Sequence, residues 1–388
     1  MPATDPAIAE VSCLRYGEHE ETARELAVDA SLDVLEEAGL EGDELDSLFV
    51  ANAFGMADKQ GHVGPLISTA IGAPNVPSST TEAACASASV AFRHAIAHVR
   101  AGMAETALVV GTEKVSHIDT MTATSYFCYG SDYFLEGGVG ATFPGLYAAI
   151  ARAHMDEFGT SEEDMARVAV KNHANGIHNP TAHFQKEIEI GDVLDSYEVA
   201  APLKLYDACP FSDGAAAAIV TTEEKARAMT DTPVTVEAST QRGTIAALSE
   251  REDVTEIEGT QLAGQAAFEQ AGVSADEVDL FEVHDCFTIA ELVAMEDLGL
   301  AEPGKAAAMV REGQTKPDGD VPVNASGGLK SKGHPVGATG MGQIYEAVEQ
   351  LRGEAEGPRQ VDGAERVLTH NVGATGGTVT VNILGRGD

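Results

Sequence analysis

The sequence predicts an α/β fold made of two similar halves, each a sheet covered by helices, with a cap inserted into the first half. The first observation is a repeat: Ala38 to Val50 (AGLEGDELDSLFV) matches Ala271 to Val283 (AGVSADEVDLFEV) without a gap at an offset of 233, with six identities in thirteen positions. Both segments read as a helix end, a glycine stop, an acidic turn and a buried strand. A second pair, Ala104 to Gly111 (AETALVVG) and Ala364 to Asn371 (AERVLTHN), shares Ala, Glu and Leu at an offset of 260. The third observation is that Ala83–Gly102 and Gly337–Arg352 begin with Ala, Ser and Gly on all sides. Helices pressed between layers need such small faces, so these two are expected back to back in a central layer with a sheet on either side.

The first half is read as residues 1–111, closed by a strand segment at 213–232, and the second as residues 233–388. Strand-like Asp213 to Thr222 resembles Gly376 to Leu384 as the closing strand of each half. Strands alternating with helices argue for parallel-rich sheets. Residues 112–212 have no counterpart in the second half. This inserted loop domain carries helical patterns at Gly145 to Phe158 and Ser161 to His178, then the loop Asn179 to Phe184, and reads as a cap that shapes a substrate entrance.

Composition narrows the partners. The 388 residues hold 24 Lys plus Arg against 62 Asp plus Glu, a net charge of -38 at pH 7. Nucleic acid is excluded as a partner, because phosphate binding needs clustered basic charge. Acid spread along the whole chain suggests a salt-rich cytoplasm, where screening removes self-repulsion. The longest apolar run, near Ala215 to Val220, is far short of the ~20 residues that span a bilayer. Met1 to Glu10 carries no basic residue ahead of an apolar stretch, so it does not read as a signal peptide. Five widely spaced cysteines, at 13, 85, 128, 209 and 286, read as reduced thiols in a cytoplasm.

Four clusters carry candidate chemistry. Cys85 sits where a strand hands over to a helix, and first-turn N–H groups there would lower its thiol pKa. A small buried thiol in an Ala-rich helix is the bland alternative. His284, Asp285, Cys286 and Phe287 follow the strand Val278 to Val283, at the carboxyl end where α/β folds place ligands. Asn324 to Gly342 (NASGGLKSKGHPVGATGMG) surrounds His334 with small residues, so that backbone can approach a ligand. It lacks the spacing of a P-loop. His370 to Gly377 (HNVGATGG) joins another strand end to a turn, with a hydrogen-bonded Asn371 as the simple reading.

Other groups are read as structural. His94 and His98 stand one helical turn apart without a third ligand, and His173, His178 and His183 match no metal spacing, although His183 could line the entrance. Tyr126, Phe127 and Tyr129 around Cys128 are read as core packing or as an acyl-tunnel wall. No metal site is assigned.

Together the motifs Cys85-Ala86-Ser87, His284-Asp285-Cys286-Phe287 and Gly333-His334-Pro335 resemble the thiolase superfamily over nearly the whole chain. The HDCF form, with KNHANGIHNPTAHF and FSDGAAAA, is similar to the sterol carrier protein type branch and its archaeal acetyl-CoA acetyltransferase relatives. The resemblance implies the duplicated five-layer αβαβα thiolase fold with its inserted loop domain. Two-cysteine thiolases carry their second catalytic thiol in a C-terminal CxG. Here that position reads Asn371, Val372, Gly373, and the resemblance moves the role to Cys286.

The implied reaction is Claisen condensation or thiolysis by an acetyl-CoA C-acetyltransferase. His334 takes the proton of Cys85, which carries the acyl group, and Cys286 deprotonates a second acetyl-CoA. His284 and His334 serve the enolate oxygen, and backbone N–H groups of Cys85 and Gly373 serve the tetrahedral oxyanion. Coenzyme A thioesters are substrates, with no permanently bound cofactor. Lys330 and Lys332 are candidates for attracting CoA, and surface solvation reads equally well for each. The resemblance also implies a homodimer or homotetramer and a small OB-fold partner protein with a zinc ribbon. A 3-ketoacyl-CoA thiolase of broader chain length, a ketoacyl synthase-like enzyme and a non-catalytic acyl-CoA-binding scaffold are the alternatives.

Overall fold

The computed structural model describes residues 5–387; Met1 to Thr4, part of the stretch read for a leader, and Asp388 lie outside the described residues. Eleven strands are formed: β1 (Pro6–Cys13), β2 (Ser47–Ala51), β3 (Ser78–Thr81), β4 (Thr106–Glu113), β5 (Glu198–Ala200), β6 (Leu203–Lys204), β7 (Gly214–Thr222), β8 (Val234–Arg242), β9 (Leu280–Glu282), β10 (Arg366–Gly373) and β11 (Thr378–Arg386). β5 and β6 form a separate hairpin. The other nine run in the order β3-β2-β4-β7-β1-β8-β11-β10-β9.

The repeat is visible in this order. β2 and β9, which carry the first matched pair, each lie parallel to a strand of the second matched pair, β4 and β10. β4 and β10 are in turn antiparallel to the closing strands β7 and β11. The two sheets expected from the sequence are therefore the two limbs of one strand run. They are joined where β1 meets β8 through Ala7↔Thr235 and Ile8↔Val234. The limbs are also less parallel than expected: among the described residues, only β2–β3, β2–β4 and β9–β10 are parallel. The closing strand returns directly beside its predecessor, as in the short turn from β10 to β11, and such a return makes an antiparallel pair.

The layering follows from where apolar surface is buried. Helices Ser87–Arg100 and Thr339–Arg352 pack against each other, and the second touches strands of both limbs. One core joins Phe92 and Ile344 of these helices to Val109 and Ala218 on one side and Val367 and Leu384 on the other. A second core lies under helix Ala23–Ala38, outside the first limb. A third lies outside the second limb and is continuous with the insertion. Helix, sheet, paired helices, sheet and helix make five layers. Gly340 shows why the central helices start with small residues: a Cβ there would stand 2.2 Å from the Ser89 hydroxyl.

The two insertion helices form at Phe143–Phe158 and Glu162–Gly176, each capped by the hydroxyl before it, Thr142 and Ser161. No helix among the described residues is long and apolar enough to cross a membrane.

Candidate active site

The first limb presents Cys85 on a tight turn. Ala84 adopts φ 49°, a left-handed conformation costly for a residue with a Cβ. The turn is held by Ala86 N–H donating to Ala83 O at 3.0 Å and by the Ser87 hydroxyl donating to Ala84 O at 2.6 Å. The amides of Ala374 and of Cys85 itself point at the sulfur, yet burial dominates and pushes the thiol up to about 12. The lowering expected from the helix start does not occur. The helix begins only at Ser87, and the Ala86 and Ser87 amides are already spent on Ala83 and Ala84 carbonyls. Cys85 therefore rests as a thiol.

His334 presents a lone pair beside it. Its Nδ1 lies 2.6 Å from Thr339 Oγ1, whose single proton goes to Pro335 O at 3.0 Å. The hydroxyl must then accept, which places a proton on Nδ1 and leaves Nε2 with a free lone pair. Burial pushes the imidazole down to about 3, so it is neutral and available. Glu113, at the end of β4, steadies the same turn. Its buried carboxylate accepts from Gly337 N, Ala53 N and Asn52 Nδ2 at 3.0, 3.1 and 3.0 Å.

His284 has the opposite polarity. Asn371 Nδ2 donates to its Nδ1 at 3.0 Å, so Nε2 carries the hydrogen. That Nε2 is buried with no hydrogen-bond partner, a donor left free inside the site. Burial lowers the ring well below its ordinary value, with His334 and His370 adding to the effect. Cys85 Sγ and one ring nitrogen from each of His284 and His334 lie within 4.8 Å of one another. Both Nδ1 atoms are engaged elsewhere, so the converging nitrogens are the two Nε2 atoms. A lone-pair base and an N–H donor thus flank one thiol.

Cys286 is buried, and its thiol is raised well above the ordinary range by burial first, then by Cys209 and Cys85. Cys209 pairs with it across a short bridge, its N–H donating to Cys286 O at 3.0 Å. Asp285 points the other way. Its carboxylate takes Leu329 N at 2.6 Å and Asn172 Nδ2 at 2.7 Å, tying the loop to the insertion and to the glycine-rich cluster.

The remaining expected site residues are placed differently. Lys330 and Lys332 are 2% and 5% exposed, so neither offers a surface charge for CoA. Lys332 Nζ binds Glu346 at 2.8 Å and Gly342 O at 2.8 Å. Lys330 lies over the Tyr206 ring at 5.7 Å. His183 stands behind the site, its Nδ1 2.9 Å from Ser212 Oγ, which also receives His334 N–H at 3.2 Å. Gly373 is needed for space, since a Cβ there would meet Ala83 O of the Cys85 turn at 2.5 Å. The amide facing Cys85 is that of its neighbour Ala374. Of the aromatic cluster, Phe127 packs on Phe54 at 4.8 Å in the apolar shell around Cys85, whereas Tyr129 is exposed.

Sequence reading missed Thr339, Glu113, Ala374 and Tyr147. Thr339 had a usable signal, a hydroxyl on the helix start five residues after His334. Replacing it by valine is expected to lower kcat by roughly 10- to 100-fold, because a misoriented or mistautomerised base loses part of its general-base contribution. Serine should restore most of the rate. A valine variant with parental kcat would show that the hydroxyl does not set the tautomer.

The chain matches the family described as thiolase, N-terminal domain, over residues 10–224, and thiolase C-terminal domain-like over residues 240–386. It is 45% identical over 384 residues to an acetyl-CoA acetyltransferase of Methanothermobacter thermautotrophicus, covering 98% of this chain and 100% of that one. It is 32% identical to human sterol carrier protein 2, covering 94% of this chain and 68% of that one. The solved structure described as the Ltp2-ChsH2(DUF35) aldolase superposes with a TM-score of 0.86 at 24% identity, covering 99% and 98% of the two chains. With both halves matched and the duplicated layers and Cys-His-His constellation in place, the chain belongs to the thiolase family.

Proposed function

We propose that this chain is an acetyl-CoA C-acetyltransferase that works through an acyl-enzyme on Cys85. The observation that carries the reading is the opposite polarity of the two imidazoles around one thiol. His334 Nε2 takes the Cys85 proton as the sulfur attacks the thioester of acetyl-CoA. The oxyanion lies against the amides of Cys85 and the Gly373–Ala374 turn, and CoA leaves. The departing CoA thiolate takes the Cys286 proton, and the Cys286 thiolate so formed removes a methyl proton from a second acetyl-CoA, whose carbanion attacks the acetyl-enzyme. The enolate oxygen takes the free N–H of His284, with His334 beside it. CoA thioesters enter as substrates, and no bound cofactor has a step. The 45% identity to an acetyl-CoA acetyltransferase supports the choice of acetyl group.

The reading extends to the surroundings. The division into residues 1–111 with 213–232, the insertion 112–212 and 233–388 gives the insertion the acyl entrance. With Lys330 and Lys332 buried, attraction of CoA falls to other groups. A small OB-fold zinc-ribbon partner would supply them, and the superposed structure whose description names ChsH2(DUF35) beside Ltp2 supports that partner. A homodimer or homotetramer in a salt-rich cytoplasm completes the reading, the net charge of -38 being tolerable only where salt screens it.

The test is release of CoA at high salt from acetyl-CoA alone and from malonyl-CoA, with and without the partner. Acetoacetyl-CoA formed from acetyl-CoA is expected. Decarboxylation of malonyl-CoA without condensation of acetyl-CoA would instead indicate a synthase. Cys286→Ser should still accept the acetyl group on Cys85 and then stall, with condensation and methyl-hydrogen exchange reduced by at least ~10²-fold. Exchange at the parental rate would remove Cys286 from the mechanism.

A further inference from the structure

The insertion reaches the reacting groups through one hydroxyl. Tyr147, on helix Phe143–Phe158, is 1% exposed, and its ring stacks on Phe287 with centroids 4.8 Å apart at 28°. Its hydroxyl donates to Ala374 O at 3.0 Å, and the Cys286 thiol lies in the same buried cluster, where the phenol acts to lower the thiol against its burial. Ala374 is itself held at φ 56°, and its amide faces Cys85. A phenol has one proton. While that proton is on Ala374 O, the oxygen can only accept the S–H of Cys286. To stabilise the thiolate it must release Ala374 and donate to sulfur.

We propose that Tyr147 is the positioning residue for Cys286, aiming the thiol into the site and turning its own proton from Ala374 O to Sγ whenever Cys286 ionises. The only covalent bonds that change are those of the acid/base step, the S–H of Cys286 and the methyl C–H of the substrate, one forming as the other breaks. The inference rests on the reading of Cys286 as that acid/base. It gives the insertion a part in the chemistry and connects the two thiols, because the carbonyl released by Tyr147 belongs to the residue whose amide serves Cys85. The other titratable groups facing Cys286 are Cys209, Cys85 and Asp285, none of which donates to a thiolate when ionised, and Arg251 faces Tyr147.

Tyr147→Phe keeps the ring on Phe287 and removes only the hydroxyl. Acetylation of Cys85 by acetyl-CoA should slow far less than condensation and methyl-hydrogen exchange, which should fall by roughly 10-fold. The limb of the pH profile that rises as Cys286 ionises should move up by about one pH unit, the size of a lost hydrogen bond to a charged sulfur. Site-specific 3-fluorotyrosine at position 147, a stronger donor of the same shape, should move that limb down and guards against a folding defect in the Phe variant. Parental exchange and an unmoved limb in both variants, with Cys286→Ser stalled, would overturn the role of Tyr147 alone. A Cys286→Ser variant that exchanges normally would overturn the acid/base reading and this inference with it.

Discussion

Cys85→Ala is expected to abolish acyl transfer, by roughly 10⁴-fold or more, the scale on which deleting a covalent nucleophile acts. No other group in the site can replace it. His334 and His284 offer a lone pair and an N–H, and neither carries a thiol. The variant should fold normally, since the turn is already built from Ala83, Ala84 and Ala86 and the lost sulfur makes no structural bond. Brief exposure of the parent to labelled acetyl-CoA should mark one peptide, that containing Cys85, and the alanine variant should carry no label. Label on Cys286, Cys209 or Cys128 would sink the assignment.

Glu346→Ala is expected to be the most damaging change to stability. Glu346 projects from the second central helix, is 1% exposed, and binds both Lys332 and Arg359, themselves 5% and 1% exposed. It also accepts from Asn179 Nδ2 at 2.9 Å and Thr181 Oγ1 at 3.3 Å, so the loop Asn179 to Phe184 hangs on the same carboxylate. Alanine leaves two buried cations without the carboxylate that pairs them, a loss of about 3–5 kcal/mol. A fall in the urea midpoint is the measurement, and a change below about 1 kcal/mol would show that water reaches the cations. The pH dependence has a definite sign. Burial raises Glu346, but Lys332 and Arg359 outweigh it and hold the group at about 2, against an ordinary 4.5. Its contribution is therefore complete above 4.5 and is lost as pH falls toward 2. The alanine variant should lack that part of the acid transition.

The site was legible wherever chemistry was written in adjacent residues. Cys85, the His284–Phe287 run and His334 each stand at a strand or helix end that hydropathy marks, and the structure brings Cys85, His284 and His334 together. Lys330 and Lys332 were misplaced because a lysine in a polar, glycine-rich stretch looks exposed. Only the fold shows Glu346, from a helix that begins later in the chain, waiting for Lys332. Tyr147 carried no signal, being an aromatic on a helix whose partners Phe287 and Ala374 are more than a hundred residues away.

The sequence by itself determined the duplicated α/β plan, the small-faced central helices and the strand and helix ends that carry Cys85, His284 and His334, because periodicity, caps and a repeat are short-range patterns that survive in one dimension. The tertiary structure alone decided which imidazole presents a lone pair to Cys85 and which an N–H. That choice rests on Thr339 Oγ1 and Asn371 Nδ2, the second brought from a different strand. It likewise decided that Cys85 rests as a thiol, since burial of the sulfur outweighs the amides aimed at it. Desolvation and hydrogen-bond polarity depend on everything that surrounds an atom, and the surroundings are assembled from both halves of the chain.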